Sequence, residues 1–470
     1  MRKVSAQSVL DEAIKYHHNR DLKKAEALYH DILNNNIGQP VVLYFLGTLA
    51  MERGQFGMGI CLLEYVVKAQ PDLGEAWNNL GLCYRAVNDF DSCREKLEEA
   101  LKRLPIADIP MNISSTYINE GQPLKCIEWC DRALAIDPNH LKAQWHKALA
   151  LLEMQNWKKA WPLHEVRLKE GAASHDIAKR NYHGPEGQTQ WWDGGSGEFV
   201  VIHGEQGVGD EIMFASCIPD ALESNSRFVL ECSPRLQGLM QRSFPDIDVR
   251  GTDATDGHEW IPELGKPDKK TALGSLPKFY RTTPEDFPGT PFLKPDPKRV
   301  QEWARRFEAK EFTKPKIGIA WQGGVVKTRV DLRSIFPEQL IPILKQDAHF
   351  ISLQYTADGE GHVDDLRSGG FDVHYYSEAQ AQDIDDVAGL IASLDLVITV
   401  CQTAVHIAGG LGVECWCLTP SKPSWRYGVV GNMPWYNSVD LIRMEGEDWT
   451  PVIEKTAKRL EKWIEDANYA

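Results

Sequence analysis

Apolar and polar positions follow two different rhythms along the 470 residues of this chain. Over the first third, large apolar residues sit three and four apart, as in Leu43-x-x-Leu46-Gly47 and Trp77-x-x-Leu80-Gly81-x-x-Tyr84. That spacing lines one face of an α-helix. Small residues recur at Ala25, Gly59, Cys93, Cys126 and Ala160, separated by 34, 34, 33 and 34 residues. A steady period of this length predicts a repeat of paired helices. Two antiparallel helices cannot bury their apolar faces alone, so the units stack into an arm with a concave face. Pro71, Pro105 and Pro138 each close a unit, because proline cannot donate the next helical hydrogen bond.

Beyond residue 185 the rhythm changes to short apolar runs separated by glycine-containing turns. Glu198–His203, Arg227–Cys232, Lys316–Trp321, His349–Gln354, Asp395–Val400 and Glu414–Thr419 read as buried strands. Helices are expected over Glu211–Leu222, Pro234–Ser243, Asp383–Leu394 and Thr403–Leu411. A proline-rich stretch, 284 to 297, separates two halves. Strand–helix alternation of this kind predicts two parallel-sheet, Rossmann-like subdomains, with the ligand cleft beyond the carboxyl ends of the strands. The expected organisation is therefore α + α/β. A helical arm spans 6–170, a first half 185–297 and a second half 298–470, the last helix packing back on the first half. Trp157, Trp161, Trp191 and Trp192 bracket a polar stretch that reads as a docked connector.

Composition narrows the partners. A formal charge of −15 argues against a broad footprint on nucleic acid. No apolar run approaches the roughly 20 residues that span a bilayer. The start of the chain lacks the apolar core of a secretory signal, which gives a cytoplasmic expectation. The ten cysteines are scattered. Cys126 and Cys130 are one helical turn apart with no second pair to complete a zinc set, so they read as buried thiols and no metal site is expected.

Two resemblances add to this. The repeat resembles the tetratricopeptide repeat, best over residues 74–107, and such arms bind peptide segments or self-associate. His203-Gly-Glu-Gln-Gly-Val-Gly-Asp-Glu-Ile resembles the first loop of the ADP-heptose–lipopolysaccharide heptosyltransferase family. Asp395-Leu-Val-Ile-Thr-Val-Cys-Gln-Thr-Ala-Val-His-Ile-Ala-Gly-Gly-Leu-Gly412 is similar to that family's donor loop and helix. Ser275-Leu-Pro, Leu332-Arg-Ser-Ile and Pro420 through Trp425-Arg-Tyr-Gly428 also fit the version of this domain fused to tetratricopeptide repeats. The likeness covers roughly 195 to 465. It implies a GT-B glycosyltransferase that needs no metal or other cofactor and takes a nucleotide-diphosphate sugar as substrate.

Glycosyl transfer needs a base for the acceptor hydroxyl, stabilisation of the departing diphosphate, and alignment of the two. Asp210 matches the family's proposed base, and equally suits a helix start, where a carboxylate complements the dipole. Glu205 and Glu211 are its rivals. The start of the Thr403 helix offers N–H groups to a diphosphate, with Gln402 and Thr403 as side-chain donors and His406 one turn in. Lys327 matches the family's phosphate-contacting lysine, with Arg329 and Arg333 as substitutes. Gly207, Gly209, Trp321 and Gln322 would line the cleft, and Trp321 equally suits a core. Cys401-Gln402-Thr403 stands where heptosyltransferases have Asp-(Ser or Thr)-Gly, which counts against heptose as the sugar.

The leading expectation is thus an inverting glycosyltransferase acting on a glycan or protein hydroxyl, its arm recruiting an acceptor or partner or dimerising. The alternative is an interaction scaffold whose transferase-like body no longer turns over. A weaker third is a nucleotide-sugar epimerase.

Overall fold

The computed structural model describes residues 6–35, 39–169, 180–183, 187–252, 258–324, 330–379 and 383–466. The chain divides into two compact units, Met1–Ala150 and Leu151–Ala470.

In the first unit, successive helices pair: α1 (Ala6–His18) with α2 (Leu22–Asn35), α3 (Pro40–Glu52) with α4 (Phe56–Ala69), α5 (Gly74–Ala86) with α6 (Phe90–Arg103), and α7 (Asp108–Asn119) with α8 (Pro123–Ile136). Helix α9 runs from Leu141 to Glu153. The small residues act by proximity. A Cβ on Gly47 would fall 2.8 Å from Leu63 Cγ, and one on Gly81 would fall 2.7 Å from Leu97 Cγ. Only a missing side chain lets the paired helices approach so closely. The period is also written in the backbone. Arg20, Gly54, Asn88, Gly121 and Gln155 all adopt positive φ, between 56° and 74°. They recur at the sequence's own spacing and end the first helix of each unit in the left-handed turn that glycine and asparagine tolerate best. Asp89 then caps α6 by accepting the Ser92 N–H at 3.1 Å.

The second unit opens inside the fifth repeat, so the boundary falls about twenty residues before the expected 170. Helix α10 (Trp157–His164) stacks Trp157 on Trp161 at 5.8 Å, and the Trp161 indole donates to the Arg281 carbonyl at 2.6 Å. Two wholly parallel sheets follow. The first has five strands in the order β1-β5-β2-β3-β4: β1 (Gln190–Trp191), β2 (Phe199–His203), β3 (Arg227–Cys232), β4 (Asp248–Gly251) and β5 (Lys269–Ala272). The second has six in the order β11-β10-β9-β6-β7-β8: β6 (Lys316–Ala320), β7 (His349–Ser352), β8 (Val373–His374), β9 (Leu396–Val400), β10 (Cys415–Thr419) and β11 (Val439–Arg443). β9 is buried at every position, as a central parallel strand covered on both faces should be.

Some expectations need correction. The single helix expected over Glu211–Leu222 begins earlier and breaks. α11 covers Val208–Ala215, and a second short helix resumes at Ile218 with Pro219 in its first turn. The last helix, α14 (Thr450–Asp466), buries its apolar face, among the described residues, on the second half. Its Val452, Ile453, Ala457 and Leu460 join the core of the six-stranded sheet with Ile343, Trp416 and Ile442. The described part of the connector does dock: Arg180 and the Tyr182 hydroxyl both reach the Glu231 carboxylate, at 2.7 and 2.6 Å. α12 (Ile384–Ile391) and α13 (Thr403–Leu411) flank β9 in the second half, and the proline-rich strap seals the far end of α13. There the N–H groups of Phe292 and Leu293 both donate to the Gly410 carbonyl at 2.9 Å.

Candidate active site

The carboxyl ends of β2 and β9 each lead through a tight turn into a helix, α11 and α13, and the two helix starts meet. A Cβ on Gly209 would lie 3.1 Å from His406 Cδ2 and 3.4 Å from Thr403 Oγ1. Glycine at this position lets the two halves close on each other. The sequence-predicted Gly209, Asp210, Thr403 and His406 are thus brought to one place.

The three carboxylates of the first turn have three different fates. Glu205 is fully buried and held by Arg167 through two bonds, Nε to Oε2 at 2.8 Å and Nη2 to Oε1 at 2.5 Å. Oε1 also accepts the Gly274 N–H at 2.9 Å, and Arg167 reaches on to Ser275 and Glu165. A carboxylate so enclosed is a structural anchor and has no free edge for a substrate hydroxyl. Glu211 turns back under the sheet. It accepts the Ser233 N–H at 2.9 Å, and burial pushes its carboxyl up to about 7. Asp210 is the carboxylate left at the meeting of the two helices. It accepts the Gly207 N–H at 3.4 Å at the start of α11, and the other oxygen pairs with Arg426 Nε.

Arg426 is the residue that sequence reasoning missed. It bonds Asp210 and Gln206 Oε1, the latter at 3.0 Å, and lies 4.8 Å over the Trp425 ring. Its signal lay in Trp425-Arg-Tyr-Gly428, an arginine between two aromatics. Arg167 gave no comparable signal, because its partner is 38 residues away in sequence.

The second turn is neutral. Gln402 begins α13 without a side-chain cap, so the amide groups of the first turn are not claimed by the cap residue. The Gln402 side chain does not serve the cleft, since its Nε2 donates inward to Thr399 Oγ1 at 3.0 Å. Thr403 is half-buried at the helix start. His406 is buried between two hydroxyls, Tyr436 at 3.2 Å from Nδ1 and Tyr427 at 3.5 Å from Nε2. Burial lowers its pKa to about 4, so the ring is neutral at pH 7. It positions α13 against α11 and has no free edge for a diphosphate. Arg333 Nη1 donates to the Cys401 carbonyl at 3.3 Å, near the end of β9. Cys401 Sγ lies 3.7 Å from Cys417 Sγ, and both are buried.

The cleft-lining expectation divides as well. Trp321 is 1 % exposed and belongs to the core of the second sheet. Gln322 is fixed through its backbone, its N–H donating to Gln354 Oε1 at 3.0 Å and its carbonyl accepting Gln354 Nε2 at 3.1 Å. Gly207, expected to line the cleft, lies at the cap of α11. Lys327 and Arg329 lie outside the described residues.

Comparison with known proteins bears mainly on the arm. The family described as "Tetratricopeptide repeat" matches residues 74–106 and again 107–140. The arm therefore carries tetratricopeptide repeats, which point to a protein-interaction role. Protein FlbA of Caulobacter vibrioides is 28 % identical over 471 residues, covering 88 % of this chain and 77 % of that protein. Among solved structures, MamA is 21 % identical over 33 % of this chain and 92 % of its own, with a TM-score of 0.31. YrrB, described as a TPR protein with an unusual peptide-binding site, is 23 % identical over 31 % of this chain and 75 % of its own, with a TM-score of 0.29. No helix of the described residues is long and apolar enough to cross a membrane.

Proposed function

We propose that the α/β body is a metal-independent inverting glycosyltransferase of the GT-B type, and that the repeat arm recruits its acceptor or a protein partner. The donor is a nucleotide-diphosphate sugar and the acceptor a glycan or protein hydroxyl. One observation carries the reading. Asp210, Arg426 and the uncapped start of α13 converge where the carboxyl ends of two parallel sheets face each other. A helix start and a guanidinium are what a departing diphosphate needs. A carboxylate beside them can accept the proton of the attacking hydroxyl. In the resting state Arg426 occupies Asp210. A diphosphate on α13 competes for Arg426 and leaves Asp210 able to act as base.

Titration of the full chain with nucleoside diphosphates and nucleotide sugars, in the presence of chelator, tests this. Selective binding of one nucleotide sugar supports the reading, and no binding by a well-folded sample overturns it. Asp210→Asn should then cost about 10²–10⁴ in transfer rate while sparing nucleotide binding. Unchanged turnover removes Asp210 from the role of base.

A second reading has its own support. Cys401 stands where the resembled family carries an aspartate, Glu205 is consumed by Arg167, and His406 by two tyrosines. This favours an interaction scaffold built on a transferase-like body. Nucleotide-sugar binding with no turnover on any acceptor would favour it.

A further inference from the structure

At the end of the six-stranded sheet opposite α13, three side chains of metal-ligating type meet. His349 opens β7, Asp372 immediately precedes β8, and His374 closes it. Phe350 pairs with Val373 and Ile351 with His374, so His349 lies across from Asp372. Side chains alternate along a strand, which places all three on one face of the sheet. Nδ1 of His349 is 2.6 Å from Oδ2 of Asp372, and Nε2 of His374 is 2.7 Å from Oδ1. All three ligand atoms lie within 4.8 Å of one another. The rings are held in place from behind. Phe312 stacks on His349 at 4.1 Å and 13°, and packs on His374 at 4.6 Å. The backbone is fixed as well, with the Phe350 N–H donating to the Asp372 carbonyl at 3.0 Å. Nε2 of His349 is buried without a partner, so Nδ1 is the edge the ring presents. The Asp372 side chain is 44 % exposed, which leaves the open side of the cluster to water.

We propose that His349, Asp372 and His374 form a binding site for a divalent first-row transition metal, with zinc as the occupant the ligand set suits best. Two imidazoles and one carboxylate are a borderline nitrogen–oxygen set, whereas calcium and magnesium take oxygen ligands. Zinc bonds of about 2.0–2.2 Å place tetrahedral donors roughly 3.3 Å apart. The two His–Asp pairs, at 2.6 and 2.7 Å, open by about 0.6–0.7 Å to reach that spacing, and the two imidazole nitrogens, within 4.8 Å of each other, adjust around the exposed Asp372. Three protein ligands and an exposed fourth position complete the coordination with water. The flanking cations are mostly spoken for. Arg367 is bonded to the Val373 carbonyl at 2.7 Å and Asp364 at 3.3 Å, and Lys314 to Asp347 at 2.6 Å. Lys310 lies over the Tyr376 ring at 4.7 Å. The metal staples the two-residue edge strand β8 to β7. It lies at the amino ends of the strands, so it takes no part in chemistry at α13.

Calorimetric titration of Zn²⁺ into the chelator-stripped full chain tests the site, alongside the absorption spectrum of the Co²⁺ form. One equivalent is expected, with nitrogen–oxygen bands and no thiolate charge-transfer absorption. Asp372→Asn and His374→Ala should each weaken binding by about tenfold or more. Asp372→Asn keeps size and exposure, so its folding is not at issue. Absence of saturable uptake overturns the proposal. So does thiolate absorption with affinity unchanged in both variants, which places the metal on cysteines.

Discussion

The turn after β2 and the turn after β9 share a plan, a strand running through a tight turn into a helix, and they handle charge in opposite ways. The first holds three carboxylates within seven residues, Glu205, Asp210 and Glu211, and handles each differently: by a buried guanidinium, by an arginine from the other half, and by burial that raises the pKa to about 7. The second holds no charged side chain at its helix start and keeps its one titratable ring neutral between two tyrosines. Charge in the first turn holds the unit together. Neutrality in the second keeps the amide end of α13 unclaimed by a side chain, as an anion requires. Neighbouring residues of one type thus take separate roles because burial and partner, more than residue type, set their protonation.

The comparison is broken most sharply at Glu205. Glu205→Gln removes the bidentate charge partner of a guanidinium with no exposed surface, leaving it the Glu165 carboxylate, and should cost about 3 kcal/mol, read by urea unfolding. A loss below about 1 kcal/mol would mean the pair anchors nothing. Next comes the pH dependence of Glu211. Its folded pKa of about 7 exceeds the ordinary 4.5, so the folded state binds the extra proton. That stability is full below pH 4.5 and is lost as pH rises through 7, on the order of 3 kcal/mol in all. Glu211→Gln removes the slope, and the variant should gain on the native chain between pH 5 and pH 8. A difference independent of pH would show the carboxyl to be charged.

The second turn has the opposite sign. His406, lowered to about 4, favours the folded state above pH 6.5 and loses that contribution as pH falls through 4, again on the order of 3 kcal/mol. His406→Gln should flatten the acid limb of the stability profile in part, because the buried His203 and the half-buried His146 are also lowered, to about 3 and about 4. An unaltered acid limb would remove His406 from that account. The smallest effect is expected at Arg426. Its pair with Asp210 is partly open to solvent, so Arg426→Ala should cost about 1 kcal/mol in stability. The same variant should weaken nucleoside-diphosphate binding if the transferase reading holds. Tighter binding would instead mark Arg426 as an obstacle.

Much of the architecture was legible in the chain. The period of 33 and 34 residues reappears as left-handed turns at Arg20, Gly54, Asn88, Gly121 and Gln155, because each unit needs the same reversal. All six apolar runs became central strands within two residues of their expected bounds, since a fully buried parallel strand is written as a continuous apolar stretch. The strand Lys316–Ala320 stops one residue short of its expected end, and Trp321 joins the core beyond it. Short strands such as β4, β5 and β8 left no comparable trace, for four residues or fewer carry little periodicity.

The candidate site divides along the same line. Local sequence determined that Asp210 and Thr403 stand at helix starts, because glycine turns and apolar strands place them there. Only the tertiary structure decided which carboxylate is available. Arg167 and Arg426 reach Glu205 and Asp210 from 38 and 216 residues away, and Ser233 meets Glu211 across a strand. The same holds for His349, Asp372 and His374, which sheet register alone assembles. Helix starts, strands and repeats follow from neighbours along the chain. The charge state of a buried group follows from neighbours in space, and those are set by packing.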